Sequence, residues 1–331
     1  MAATIKEIAK FANVSIATVS RALANDEKVK PETRQLIMEV AGKLNYNPNL
    51  LARNFVKKQS NIIGMVLPDI SDEFFSELIK GVDETSFHSN FFTMITSSHE
   101  NRSLETAVST LMGGGLVGGI ILLIPRLSSK LKEILHFNRV PYVIISGDND
   151  IGNYDVVSID NYQAAYNITA FLIREKGYRK VAHITGPSDN YDAIIRRNGF
   201  TDACRDNGVD VKPEWIIEGK FTRKSGEEAC ERLLSLNERP QAVLAANDMM
   251  ALGCYNVCLN KGLKIPGDLG VAGFDDIFLA RHLSPSLTTV QVNIEEVGKI
   301  ATKILISRML GDTSEPKKIK VAAQLKIRNS C

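Results

Sequence analysis

The sequence predicts two fold classes in one chain: an N-terminal all-α head of three short helices, and behind it an α/β body of two doubly wound parallel-sheet lobes. Three observations carry this. Apolar residues in the first 46 positions recur at helical spacing. From Asn61 onward, short apolar runs alternate with helical patterns, the signature of parallel strands joined by crossover helices. Between the two lies NPNLLARNFVKK, residues 47–58, whose proline, basic close and large apolar side chains Leu50, Leu51 and Phe55 are unexpected in a simple linker. The expected divisions are a head at 1–46, a hinge or linker at 47–60 and a body at 61–331.

Composition fits that division and excludes several classes. The 331 residues, 44% hydrophobic and 24% charged, describe an ordinary globular protein long enough for a sizeable core. No apolar run comes near the roughly eighteen residues a membrane helix needs, and TIKEIAKFANVS is too polar for a signal peptide, so a cytoplasmic protein is expected. The five cysteines, Cys204, Cys230, Cys254, Cys258 and Cys331, form no CxxC pair, which argues against a disulfide framework or a zinc site. Cys254 and Cys258, four apart on a predicted helix, read as core thiols before ligands. The five histidines show no metal spacing, and no cofactor is expected. Net charge is +2 but uneven: residues 1–60 hold ten Lys or Arg against five Asp or Glu, and residues 61–331 hold thirty against thirty-three. A basic head on a mildly acidic body points to a polyanion partner for the head.

Within the head, Thr4 and Glu7 make a capping box, and Ile5, Ile8, Ala9 and Ala12 predict an amphipathic helix over 5–12. Asn13 suits a left-handed turn and Ser15 can cap a second helix, on which Val19, Ala22 and Leu23 face inward while Ile16, Ala17 and Arg21 point elsewhere. Two short helices so joined make a helix-turn-helix, whose second helix offers its first turn to base edges; the bland alternative is any three-helix interaction module. KPETRQLIMEVAGKLNY supplies the third helix, with Pro31 at its first position, Lys30 a poor cap, and Leu36, Ile37, Val40, Ala41 and Leu44 inward.

IKEIAKFANVSIATVSRALAN followed by VKPETRQLIMEVAGKLNYNPNLLAR resembles the head of LacI/GalR transcription repressors, through VS..TVSR, ETR and the Y.PN..AR run. The resemblance implies that Ile16 and Ala17 are an operator-reading pair and that Arg21 reaches a base or phosphate. Arg21 can fork onto guanine, and Ile16 and Ala17 can meet thymine methyl groups. Thr4, Ser15, Thr18 and Ser20 stand between two readings, phosphate contact and helix capping. The resemblance further implies a hinge that becomes helical on operator DNA, where the two hinges of a dimer meet in the minor groove. DNA contacts would come from Asn49, Leu51, Ala52, Arg53 and Phe55, with Leu51 against its twin, Phe55 wedged into the central step, and Arg53, Lys57 and Lys58 near phosphates. The family usually has leucine where this chain has Phe55, a departure that bears on kink angle and preferred step. The competing reading has Phe55 cap the body's core.

In the body, NIIGMVLP, FFTMITSS, GGIILLIP and PYVIISG read as strands of one lobe, and KVAHITG, WIIEG, AVLAAN and GVAGFD as strands of another. Ligands in such sheets bind beyond the carboxyl ends of strands, here in a cleft between lobes. GGGLVG, residues 113–118, satisfies GxGxxG but follows a helical pattern and precedes a strand, the reverse of what dinucleotide binding needs. No P-loop and no GxSxG elbow occurs.

PDISDEFFSELIKGVDE, RRNGF, ANDMMALG, VAGFDD and SLTTVQ resemble LacI/GalR effector domains and, more distantly, periplasmic sugar-binding proteins. That periplasmic-binding-protein-like body implies lobe one at about 61–160 plus 293–320 and lobe two at about 161–292 plus 321–331. The implied effector contacts are Phe74, Arg196, Phe221, Asn247 and Asp275, with Asn190 and Asp192 in the loop GPSDNYDA. Arg196 can fork onto neighbouring oxygens, Asn247 and Asp275 can serve hydroxyls, and aromatic faces can pack on a sugar. Bland roles stand beside these: Arg196 paired with Asp275, and Asn247 capping the helix that begins at Asp248. Purine-responsive members carry arginine and threonine where this chain has Asn190 and Asp192, so a neutral, hydroxyl-rich sugar is the expected effector. Ile277 and Phe278 replace the arginine with which another branch binds a phosphorylated carrier protein.

The expectation is therefore a homodimeric, DNA-binding transcriptional regulator on a pseudo-palindromic operator, controlled by a small carbohydrate. The closing LKIRNSC leaves no room for the leucine heptads of tetrameric relatives, so a dimer is the expected limit. The rivals are a solute receptor without a DNA role, and a wound α/β enzyme for which Asp192 with Asp275 is the only acid–base pair to name.

Overall fold

A computed structural model of the chain describes residues 4–23, 26–46, 60–68, 70, 73–98, 102–113, 115–138, 140–146 and 152–331. Residues 1–60 and 61–331 form separate compact units.

The head holds α1 (Ile5–Phe11), α2 (Ile16–Leu23) and α3 (Pro31–Lys43). At α1 the capping box is complete: the Glu7 amide donates to Thr4 Oγ1 at 3.4 Å and the Thr4 amide to the Glu7 carboxylate at 2.7 Å. The Thr4 amide and hydroxyl, both donating to it, hold the Glu7 carboxyl below its usual range. Ala12 is the C-cap of the helix, and Asn13 follows in the left-handed region at φ 51°. Ser15 caps α2 by accepting the Thr18 amide at 3.0 Å. Pro31 opens α3 with no side-chain cap from Lys30. Ile8, Ala9, Ala12, Val19, Ala22, Val29, Ile37 and Ala41 form the core. Leu36 corrects the expected pattern. It is 45% exposed, because it lies about 100° around the helix from Ile37 and further still from Ala41.

The body is built on two parallel sheets. The first joins β1 (Ile62–Leu67), β2 (Phe92–Ser97), β3 (Gly119–Leu123), β4 (Tyr142–Ile145), β5 (Val156–Ile159) and β11 (Lys318–Val321) in the order β11-β5-β4-β3-β1-β2. The second joins β6 (Val181–Thr185), β7 (Ile216–Glu218), β8 (Ala242–Ala245) and β9 (Gly270–Ala272) in the order β7-β6-β8-β9. An antiparallel ribbon of β10 (Thr289–Val292) and β12 (Ala323–Lys326) is bridged to the end of β9 at Ala272–Thr288 and Asp275–Gln291.

The central strands of each sheet are covered on both faces, which is why they read as continuous apolar runs. In sheet one, Val66, Ile120, Leu122 and Ile144 meet α5 (Leu104–Gly113) and α6 (Ser129–Phe137). Their alternate neighbours Met65, Leu67, Ile121, Val143 and Ile145 join α4 (Glu73–His88) and α11 (Ile294–Met309). That core is continuous with α7 (Asn161–Arg174) and α8 (Tyr191–Asp206) on sheet two, whose other face carries α9 (Arg223–Ser235) and α10 (Asp248–Asn260). The GGGLVG segment runs from the end of α5 into the approach to β3, so a strand and not a helix follows it.

Each of the eight apolar runs contains a strand, but β5 and β10 to β12 add four more. All four are interrupted by polar residues, as VVSI, TVQV, KIKV and AQLK, so none stands out as an apolar run. The chain passes between lobes three times, from β5 to α7, from β10 to α11 and from β11 to β12. Val321 still pairs with Ile159 in sheet one, so the last passage falls one residue beyond the boundary expected at 320/321.

Candidate functional sites in head and body

In the head, Val19 and Ala22 turn inward and so aim Ile16, Ala17, Ser20 and Arg21 of α2 to solvent. Ile16 is 46% exposed, a large apolar group left uncovered at the helix's first turn. The hydroxyls divide by role. Thr4 is occupied by its capping box, and Ser15 and Thr18 lie 2.8 Å apart within the α2 cap, whereas Ser20 stands on the exposed face. Arg21 makes no ion pair among the described residues. Asn49, Leu51, Ala52, Arg53 and Phe55, with Lys57 and Lys58, lie outside the described residues.

In the body, Phe74, Asn190, Asp192, Arg196, Phe221, Asn247 and Asp275 all line one cavity of about 400 Å³. They follow the carboxyl ends of five strands: Phe74 after β1, Asn190, Asp192 and Arg196 after β6, Phe221 after β7, Asn247 after β8 and Asp275 after β9. Sheet one also contributes Phe75 and the segment Leu123 to Pro125. Two hydrogen bonds cross between lobes nearby, from the Tyr191 amide to Pro125 O at 2.9 Å and from the Phe278 amide to Glu73 Oε1 at 2.6 Å.

Arg196 is the most constrained group in the cavity. Its Nε donates to Asn161 Oδ1 at 2.8 Å and its Nη1 to Ala246 O at 2.5 Å, while Nη1 stands 3.6 Å from Asp275 Oδ1. The guanidinium lies 3.8 Å over the Phe274 ring, which is itself buried. Asp275 sits at φ 111° and is stitched to the β10 crossing, its amide donating to Val290 O and its carbonyl accepting from Val292. Asp276, also left-handed at φ 59°, accepts from Arg328 Nη2 at 2.6 Å and Gln291 Nε2 at 3.2 Å.

The bland roles are present too. Asn247 caps α10 by accepting the Met250 amide at 3.0 Å, and its Nδ2 donates to Phe221 O at 2.9 Å. Asn190 caps α8 by accepting the Ala193 amide at 3.0 Å. Phe221 is held at φ 59°, with its ring where a Cβ on Gly186 would fall, 2.1 Å from Cζ, so only glycine leaves room for that ring.

Sequence reasoning missed several groups. Lys220 and Arg223 flank Phe221 at the rim, visible in the sequence only as charges. Asn161 is buried behind the cavity and donates to Asp192 Oδ1 at 2.7 Å. Asp248 is buried beneath Asp275, accepting from Thr289 Oγ1 at 2.6 Å and the Ile277 amide at 3.0 Å. Burial, reinforced by the Asp275 charge, holds its carboxyl well above the usual range. His183, buried and stacked on Phe200 at 4.8 Å, is pushed down to about 4 by desolvation, so it is neutral at physiological pH. The five cysteines are free and buried. Among the described residues no helix is long and apolar enough to cross a membrane, and no cluster of His, Cys, Asp and Glu could hold a metal ion.

Residues 4–49 match the sequence pattern of bacterial regulatory proteins of the lacI family, and residues 171–331 that of a periplasmic binding protein-like domain. The chain is 31% identical over 331 residues to catabolite control protein A of Priestia megaterium, spanning 100% of this chain and 99% of that one. It is 34% identical over 311 residues to the HTH-type transcriptional repressor CytR of Escherichia coli (strain K12), spanning 94% and 91%. The solved complex of the transcriptional regulator CelR with cellobiose shares the fold at a TM-score of 0.77 and 27% identity, over 99% of this chain and 100% of that chain. With relatives above 30% identity along essentially its whole length, the chain belongs to the lacI family of bacterial transcriptional regulators.

Proposed function

We propose that this regulator is a cytoplasmic homodimeric repressor, not an enzyme, that grips a pseudo-palindromic operator through α2 of each head and answers to a neutral sugar or sugar derivative. The observation that carries the effector reading is the convergence of seven residues from five strand ends on one cavity of about 400 Å³. Its buried floor pairs one guanidinium with one carboxylate, so a ligand with hydroxyls but no net charge meets complementary donors and acceptors. Phe74 from lobe one and Phe221 from lobe two offer apolar faces to a sugar's C–H surface. CelR was solved with cellobiose, a ligand of that class.

The division of labour follows the expected boundaries: DNA contact from 1–46 and the 47–60 hinge, effector binding and dimerisation from 61–331. The effector changes operator affinity only through its different affinity for the two states of the body. A gel shift with DNA flanking the coding region tests this, alongside thermal shifts with D-ribose and cellobiose. Specific retardation that weakens steeply with salt, and that one sugar alters, is expected. A solute receptor shows no specific retardation, and an enzyme consumes the sugar.

A further inference from the structure

We infer that Asn161 is a positioning residue of the cavity, fixing Asp192 and Arg196 side by side so that they select ligands with neighbouring hydroxyls. The inference rests on reading the cavity as the effector site. Asp192 and Arg196 lie four apart on α8, the spacing at which an acid and a base on one helix face pair directly. The side chain of Asn161, from the first position of α7, links them: Nδ2 donates to Asp192 Oδ1 at 2.7 Å and Oδ1 accepts from Arg196 Nε at 2.8 Å. Only one orientation of the amide serves both, because the reverse aims N–H at a guanidinium and C=O at a carboxylate.

Asn161 is 1% exposed and is not part of the cavity's lining, so it acts through the two residues it holds. With Nε on Asn161, Nη1 on Ala246 and the plane stacked on Phe274, the Arg196 fork has one available pose. A group already fixed costs a ligand no further ordering. Asp192 accepts from one hydroxyl and Arg196 donates to its neighbour, a pairing that suits a vicinal diol and not an isolated hydroxyl.

The test uses the full chain and three variants, Asn161→Ala, Asn161→Asp and Asn161→Asp with Asp192→Asn. Calorimetric titration with D-ribose, D-glucose and cellobiose reads affinity, a gel shift reads operator binding, and the ¹⁵N resonance of Arg196 Nε reports whether the fork is held. Asn161→Ala should weaken sugar binding about 10- to 100-fold, the loss expected for hydrogen bonds to charged groups, and leave sugar-free operator affinity unchanged. Asn161→Asp sets a second carboxylate against Asp192 and weakens it further. The double variant again sets a donor against an acceptor, with the 161–192 bond reversed and position 161 still accepting from Arg196 Nε, so it should recover the Arg196 Nε–H signal and bind sugar more tightly than Asn161→Asp alone. Wild-type affinity in Asn161→Ala, or a double variant no better than Asn161→Asp, overturns the inference. A wild-type chain that binds none of the three sugars removes the neutral-sugar reading instead, and the Nε–H signal then decides whether Asn161 holds the fork.

Discussion

Replacing Asp275 by Asn isolates the charge of the cavity floor. The Asp275 carboxylate stands 3.6 Å from Arg196 Nη1, with both side chains more than nine-tenths buried. At an effective dielectric near 20, that separation corresponds to an attraction of about 5 kcal/mol. The amide keeps the shape and some of the dipole, and Arg196 keeps Asn161 and Ala246. The backbone at φ 111° suits asparagine better than most residues, so strain adds little. What remains is a buried guanidinium short of its counter-charge, a net loss of about 3 kcal/mol. A body of this size loses about 2–4 °C per kcal/mol, so its melting transition should fall by about 6–12 °C. Asp275 lines the proposed effector cavity, whereas base reading is assigned to α2, so the response to effector should be lost while the variant still binds operator. Calorimetric melting and gel shifts with and without effector read both quantities. A variant that melts with wild type and still responds refutes the argument that this pair is buried, coupled and in contact with the ligand.

Arg21→Ala removes from α2 an exposed guanidinium with no ion pair among the described residues, so specific operator affinity should fall by about 1–3 kcal/mol with nonspecific binding nearly intact; equal loss of both counts against base reading. Asp248→Asn tests the buried carboxyl through pH. Folding raises its pKa above 3.8, so the folded state holds that proton more tightly; its contribution is fully present below pH 3.8 and is lost as pH rises through the folded value. The variant's urea midpoint should therefore gain on wild type with rising pH across that window, and parallel profiles would falsify the assignment. Gly253→Ala places a Cβ 2.3 Å from Arg223 O and 2.6 Å from the Glu227 amide, where α9 crosses α10. Separating the helices should cost about 2–4 kcal/mol in chemical denaturation, and a midpoint within error of wild type shows the crossing to be slack.

Much of the fold was legible because each of its signals is local. The Thr4–Glu7 box, Asn13 and Pro31 mark helix ends within a few residues, and all three stand where their chemistry requires. The central runs of sheet one, IIGMVL, GIILL and YVII, were legible because both of their faces are buried, which favours apolar residues at nearly every position. Leu36 shows the limit: periodicity places a residue on an arc, and a residue at the arc's edge is decided by what packs against it. The strands β5 and β10 to β12 show another, since polar residues interrupt all four, VVSI, TVQV, KIKV and AQLK, and leave no apolar run to read.

The cavity was legible as residue types and illegible as pairings. Arg196, Asn247 and Asp275 stand in motifs, whereas Asn161 meets partners 31 and 35 positions away and Asp248 one 41 positions away, with no local pattern to announce either. These hidden residues share a location. Asn161 follows the β5 to α7 crossing and binds Arg196, and Asp248 holds Thr289 of the β10 to α11 crossing beneath Asp275. Asp276, adjacent to Asp275, holds Arg328 just beyond the β11 to β12 crossing. A polar contact near Arg196 or Asp275 thus stands close to each passage between lobes. On the proposed effector reading, a ligand engaging Arg196 and Asp275 therefore meets side chains that lie beside the contacts at all three crossings.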